Sequence, residues 1–373
     1  MLEGAVGKRQ YRKSYFLMLY NAGILTVTII GLNSWTKNNT ARTERSASHV
    51  VVEISINLEK ILGTLVLLVM FISGILGGNK FATSIVRLSL QDITLKKLGG
   101  RPNYAANIRR NYFRMGIILS IMSLLWVVDH FYQMRYNVSN PLKWVVSTCP
   151  NFLQVFNTCL FVDVVFLLKE RFVTLNKHLT KMIEEMKNVP IETISKQYGI
   201  CGQIRTIAMI HGALCEAAFD VNQAFGINIV VGVGNALIIS TIALYYVFEE
   251  IKYTTGSYFR IVGSLNWGIL NSIHVVYMVT VCNMARTQAS LTGKLIHKFK
   301  IRGIDTTLNN VIQAFSLQLH HEKIEFSGAG LFRLDATLIQ SIAGAVTTYL
   351  VILIQFDSST SSYFQSGNSS HEE

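Results

Sequence analysis

Seven stretches of this chain are apolar for long enough to cross a bilayer, and nothing else in the sequence constrains its fold as strongly. A helical span needs about 20 mostly apolar residues to cross about 30 Å of hydrocarbon. Such stretches lie at 15–34, 60–78, 115–132, 144–168, 221–248, 258–284 and 336–356. The second, from Ile61 to Leu76, is the cleanest, and the fifth is long enough to tilt or run past the bilayer. In lipid every backbone polar group must be satisfied within its own segment, so each stretch reads as a helix. Pro150 is tolerable near the start of the fourth, and Asp163 within it must face protein or water. Composition agrees. Half of the residues are hydrophobic and 15% are charged, against about a quarter charged in a soluble domain. The five cysteines (Cys149, Cys159, Cys201, Cys215, Cys282) show neither metal-ligand nor redox spacing, so a disulfide scaffold is excluded. The first stretch follows Lys8, Arg9, Arg12 and Lys13 without a clear small-residue cleavage site; it reads as a signal anchor.

The net charge of +12 raises the question of nucleic acid. The basic residues, however, lie between apolar runs instead of along one face, so membrane lipid is the expected partner and nucleic acid is not. Their distribution encodes orientation. The N-terminal arm and segments 79–114, 169–205 and 285–335 carry 26 Lys and Arg, and the alternate segments 35–59, 133–143, 249–257 and 357–373 carry 6. Cytoplasmic loops hold the excess, which places the N-terminus in the cytoplasm and the C-terminus outside. Glycosylation sequons at Asn38, Asn137 and Asn368 all fall on the outer set. A G-protein-coupled heptahelical receptor has the opposite orientation, and this chain also lacks an outer-loop Cys pair and a terminal Asn-Pro-x-x-Tyr.

The inner connections carry helical stripes of their own: Leu175, Leu179, Met182, Ile183 and Met186, then Leu308, Val311, Ile312, Phe315 and Leu319. Such stripes bury against something. They predict helices that extend the spans and pack in a cytoplasmic anchor. The expected fold is thus an all-α membrane protein of seven transmembrane helices. Residues 1–284 form a six-helix bundle with cytoplasmic extensions, 285–335 an anchor segment, 336–357 the seventh span, and 358–373 an extracellular tail.

From Phe326 the chain reads Phe-Ser-Gly-Ala-Gly-Leu-Phe-Arg-Leu-Asp, and the last span ends Thr348-Tyr349-Leu350-Val351-Ile352-Leu353-Ile354-Gln355-Phe356. Thr-Tyr, five apolar residues and Gln-Phe shortly before the C-terminus resemble the signature of the insect gustatory receptor family. Gly330, Phe332 and Asp335 resemble its lead-in. The resemblance implies a ligand-gated, non-selective cation channel in the plasma membrane of sensory neurons. It implies a homo- or heterotetramer with other receptor subunits, opened by an external small-molecule tastant, bitter-type or sugar. It further implies that the last span lines a central pore, that inner helices form a shared anchor, and that the ligand pocket lies among the first six spans. An obligate co-receptor subunit is the alternative within the family. A secondary transporter is the alternative outside it, with Asp163 and His274 as candidate midplane ionisable groups but no inverted repeat.

Counting back from Gln355 by helical steps gives Val351 or Ile352, Thr348, Gly344 or Thr347, and Gln340. Four copies of this stripe would make a wet pathway that an aliphatic ring closes by dewetting, with Gln355 carboxamides replacing part of an ion's hydration shell. In a packed bundle the same polar groups would instead bond to adjacent helices. Ile342, Ala345 and Tyr349 lie off the stripe, where they can pack on neighbours. Phe356 and Asp357 stand at the expected outer mouth, Asp357 as one member of an acidic ring that concentrates cations. Asp335 either caps the last helix or enters a salt bridge.

Aromatic and polar residues gather in the outer halves of the spans: Trp126, Asp129, His130 and Tyr132; Asn151, Phe152 and Gln154; Tyr245 and Tyr246; Asn266 and Trp267. Converging, they would supply the apolar wall and placed polar groups of a small-molecule pocket. No nucleotide-binding, hydrolase or metalloprotease motif is present, so neither an enzyme nor a cofactor is expected. His320-His321-Glu322 reads as a polar helix face, because adjacent helical histidines point about 100° apart and lack the His-Glu-x-x-His spacing.

Overall fold

The computed structural model describes residues 47–99, 104–135, 141–187, 194–253, 258–299 and 306–369, together with Thr26. The expected span at 15–34, Thr26 apart, and the sequons at Asn38 and Asn137 lie outside the described residues. The elements are α1 (Ala47–Lys97), α2 (Tyr104–Arg135), α3 (Pro141–Lys187), α4 (Ile194–Tyr253), α5 (Tyr258–Ile296) and α6 (Thr306–His321). A two-stranded antiparallel hairpin follows, β1 (Ser327–Gly328) and β2 (Phe332–Arg333), then α7 (Ala336–Ser369). Five of these helices are long and apolar enough to cross a membrane: α1, α3, α4, α5 and α7. Helix α2 carries a shorter apolar stretch, Tyr112–Val128.

Length explains the architecture. Helix α4 has 60 residues and so runs about 90 Å, far beyond the roughly 30 Å that a bilayer core takes up. Helices α3 and α5 also outrun that thickness. Their surplus turns, at the end facing the basic connections, pack with α6 into the main core. Leu168, Phe172, Leu175 and Leu179 of α3 meet Ile204, Ile207, Ile210 and Leu214 of α4, Ala285 and Ile296 of α5, and Leu308 and Phe315 of α6. These are among the most completely buried side chains described. Elsewhere many large apolar residues stay exposed, such as Leu65, Ile72 and Leu76 on α1 and Ile117, Ile121 and Leu124 on α2. An apolar surface of this extent fits a lipid environment.

Buried polar groups are tied across helices. The Asn176 amide donates to the Gln288 carbonyl at 2.8 Å, and Thr292 Oγ1 donates to Asn176 Oδ1 at 2.7 Å. Arg171 pairs with Asp92 at 2.7 Å. Asp163 is neutralised by Arg114, whose guanidinium also lies 4.1 Å over the Phe166 ring. Where α1 crosses α4, Ser73 Oγ donates to Asn228 Oδ1 at 2.6 Å, and at Gly77 a Cβ would stand only 2.7 Å from the Ala224 carbonyl. Small residues permit that backbone approach in a medium where apolar burial drives little.

Phe315 is 2% exposed between α6 and α4. Phe315→Ala is expected to lower stability by about 3–5 kcal/mol, read as a lower melting temperature in detergent. Leu317→Ser, on the exposed face of the same helix, should stay within about 0.5 kcal/mol of the parent.

Candidate functional site

A narrow cleft, with room for about one water molecule in this conformation, opens between α3, α4 and α5. Its walls are apolar (Phe161, Phe225, Ile229, Val275 and Met278), and Gln154, Asn228 and His274 supply polar groups. His274 is 6% exposed, and its ring nitrogens have no hydrogen-bond partner of good geometry among the described residues. An apolar cavity with a few convergent polar groups is the usual form of a small-molecule site.

Of the described ligand-contact candidates read from the sequence, Gln154 alone lines this cleft. Trp126 instead stacks on Phe152 with centroids 4.8 Å apart and joins Met122, Val155, Cys159 and Leu270 in a second core, with Trp267 packed against it. The Asn266 amide donates to the Leu125 carbonyl at 3.2 Å, and Asn151 accepts from Asn235 at 3.4 Å. His130 and Phe131 make a tilted ring contact. The side chains of Asp129 and Tyr132 lie outside the described residues. Tyr245 is wholly buried and donates to Asp357 at 3.3 Å, while Tyr246 stands beside it, centroids 6.3 Å apart. Outer aromatics here hold helices together. Asn228 had no local signal, and His274 was read only as a midplane ionisable group for the transporter alternative; both line the cleft because three helices converge there.

Aromatic contacts run from the cleft to the segment that leads toward the last helix. Phe161 meets Phe225 at 5.5 Å and Phe326 edge-on at 6.0 Å. Phe326 leads into the hairpin that precedes α7. Asn222 of α4 grips that hairpin, its Oδ1 accepting from the Ser327 amide at 2.8 Å and its Nδ2 donating to Ser327 Oγ at 3.2 Å. Ser327 pairs with Arg333 and Gly328 with Phe332. The turn needs left-handed backbone at Ala329 (φ 48°) and Gly330 (φ 79°), which explains the glycine of the lead-in motif. Asp335 then does both things expected of it. Its Oδ1 accepts from the Thr337 amide at 3.0 Å and the Thr337 hydroxyl at 2.5 Å, and Oδ2 lies 3.9 Å from Arg286. The Thr337 hydroxyl, its amide and Arg286 hold the Asp335 carboxyl below the usual carboxylate range. The cap is therefore intact above the ordinary range and is lost only as pH falls through that depressed value.

Along α7, Gln340, Gly344, Thr347, Thr348, Val351, Ile352, Gln355 and Phe356 are exposed. The threonine hydroxyls bond back within the helix, Thr347 to Ala343 and Thr348 to Gly344. Ile342 packs on the main core, but Tyr349, expected to pack on neighbours, is 52% exposed. Asp357 corrects the mouth-ring expectation. It has no exposed surface and pairs with Lys252 of α4 at 3.2 Å as well as with Tyr245. A carboxylate without local basic neighbours in sequence reads as exposed, but Lys252 is 105 positions away along the chain. The sequon at Asn368 falls near the end of α7.

Five long apolar helices packed side by side give the architecture of a multi-pass membrane protein. The profile of the family described as 7tm Chemosensory receptor matches residues 3–360, and the chain belongs to that family. It is 24% identical over 317 residues to gustatory receptor 28b of Drosophila melanogaster, covering 78% of this chain and 67% of that one. Shorter matches, each 26% identical, join it to the Drosophila gustatory receptor for bitter taste 66a (42% of this chain, 30% of the relative) and that for sugar taste 43a (49% and 42%). The solved olfactory receptor OR5 of the insect Machilis hrabei, in complex with eugenol, shares the fold. Its TM-score is 0.63 at 15% identity, over 93% of this chain and 92% of that one. The chain is thus a chemoreceptor of the insect receptor family, not an enzyme.

Gly330→Val places a β-branched residue at positive φ, which costs about 1–2 kcal/mol. The variant should show increased protease sensitivity around 326–335 while α4 stays protected. Unchanged cleavage would mean the turn adapts.

Proposed function

We propose that this protein is a gustatory receptor that works as a ligand-gated, non-selective cation channel. In this reading four subunits surround a common axis in the plasma membrane of sensory neurons, N-termini in the cytoplasm. Helix α7 of each lines the pore. The observation that carries the proposal is the exposure of α7. Only 11% of its apolar window is buried within the subunit, against 28–56% for the other long helices. Its exposed surface mixes Gln340, Thr348 and Gln355 with Val351 and Ile352. Polar groups on a span are costly toward lipid, so water or a second copy is the better neighbour. Val351 and Ile352 would form the dewetting constriction and Gln355 the ion-facing ring.

The tastant would occupy the cleft at Gln154, Asn228 and His274. Its aromatic walls favour a compact, partly apolar molecule, and α3, α4 and α5 would part to admit it. The matches to bitter and sugar receptors are equal in identity and do not separate the two classes. Movement of Phe161 on ligand binding would reach Phe326 and the hairpin, and from there the capped start of α7.

Cells expressing the chain and perfused with a panel of alkaloids, phenols and sugars should give agonist-evoked cation currents. Gln355→Glu should raise calcium permeability relative to sodium without moving the half-maximal agonist concentration. His274→Ala should move that concentration without changing permeability. Saturable uptake without single-channel steps would replace the channel by a transporter, and an unaltered permeability ratio in Gln355→Glu would remove α7 from the pore.

A further inference from the structure

His211 and Cys215 stand one helical turn apart on α4, and Glu322 approaches them from the segment after α6. One ligand atom from each lies within 4.8 Å of the others. From these groups we infer a divalent transition-metal site, best suited to zinc, that clamps α4 to the chain leading into the hairpin and α7.

The geometry fits the chemistry. A tetrahedral zinc with Zn–N of about 2.0–2.1 Å and Zn–S of about 2.3 Å holds its nitrogen and sulfur about 3.6 Å apart. His211 Nδ1 and Cys215 Sγ are 3.6 Å apart. A small rotation of Glu322 brings its carboxylate into the third position, and water takes the fourth. The imidazole is 1% exposed and is fixed by ring contacts with Phe172 at 5.3 Å and Phe315 at 6.1 Å. Its Nε2 is buried without a hydrogen bond of good geometry among the described residues, beside the Ala289 backbone, and the Cys215 thiol also donates to the Glu322 carbonyl at 3.6 Å.

Two further features prepare the third ligand. At Gly212 a Cβ would stand 3.0 Å from a Glu322 carboxylate oxygen and 2.9 Å from Gln318 Nε2; glycine leaves room for the carboxylate beside the helix. The Gln318 amide donates to Glu322 Oε2 at 2.8 Å and to the Ala208 carbonyl at 3.1 Å, orienting the carboxylate as an outer-shell partner does in metal sites. Charge also balances. Binding releases the Cys215 thiol proton to solvent and forms a zinc–sulfur bond. The thiolate and the carboxylate together then neutralise the dication in a site with little water.

The test uses the full chain purified in detergent under a reductant, stripped with chelator and reloaded with zinc or cobalt. About one metal per chain should be retained after desalting, and the cobalt form should show thiolate charge-transfer absorption with the intense visible bands of tetrahedral coordination. Cys215→Ser should abolish the charge-transfer band, and the nearly isosteric Glu322→Gln should reduce retention to background. Zinc should also raise the melting temperature of the parent and leave that of Glu322→Gln unchanged. A double variant His320→Ala, His321→Ala should retain the metal. Loss of metal in that double variant alone, or no cobalt–thiolate band in the parent, overturns the proposal.

Discussion

The structure depends on three helices serving two solvents at once. Helices α3, α4 and α5 continue unbroken from apolar surroundings into a region where their flanks turn into tight core stripes. In lipid, apolar burial gives helices little reason to associate. At the other end, Leu175, Ile207, Leu214 and Phe315 pack among apolar neighbours, where water exclusion supplies the driving force. That inner core fixes the relative rotation of the helices. The looser outer halves then inherit their positions, held by small-residue crossings and side-chain bonds such as Ser73 to Asn228.

Everything that distinguishes the last helix follows from how it is tethered. Helix α7 leaves much of its surface unburied, yet both ends of its span are anchored to α4. At its start the hairpin is gripped by Asn222; near its far end Asp357 meets Lys252 and Tyr245. A helix held at two points and free between them can shift or rotate as the bundle rearranges without leaving it. The cleft sits between those anchors, and Phe161 touches both the cleft and the hairpin lead-in.

Much of this was legible, residue by residue. The stripes at 172–186 and 304–319 were readable because burial repeats at the helical period; Gly330 was read only as part of a motif, and the positive φ that calls for glycine there came from the structure. The cap at Asp335 was readable because capping is local. The cleft was not. Trp126 and Trp267 have the composition of a pocket wall, but their facing directions depend on neighbouring helices, and those directions close them into a core while Phe152, beside Trp126, stays exposed. Asp357 failed for the same reason, since its partner lies on a different helix. The meeting of His211, Cys215 and Glu322 was not readable, because the third group comes from a segment far away in sequence.

Sequence alone determined the chain's helical character, its apolar spans, the charge asymmetry between its connections and the motif before and within the last helix. These are short-range properties, set by backbone hydrogen bonding in lipid and by local side-chain chemistry. Tertiary structure decided which aromatics enclose empty space and which fill it, and that Asp357 is paired and buried. It also decided that a histidine, a cysteine and a glutamate converge beside Gly212. Each of those outcomes turns on the relative rotation of packed helices, a quantity that no single segment encodes.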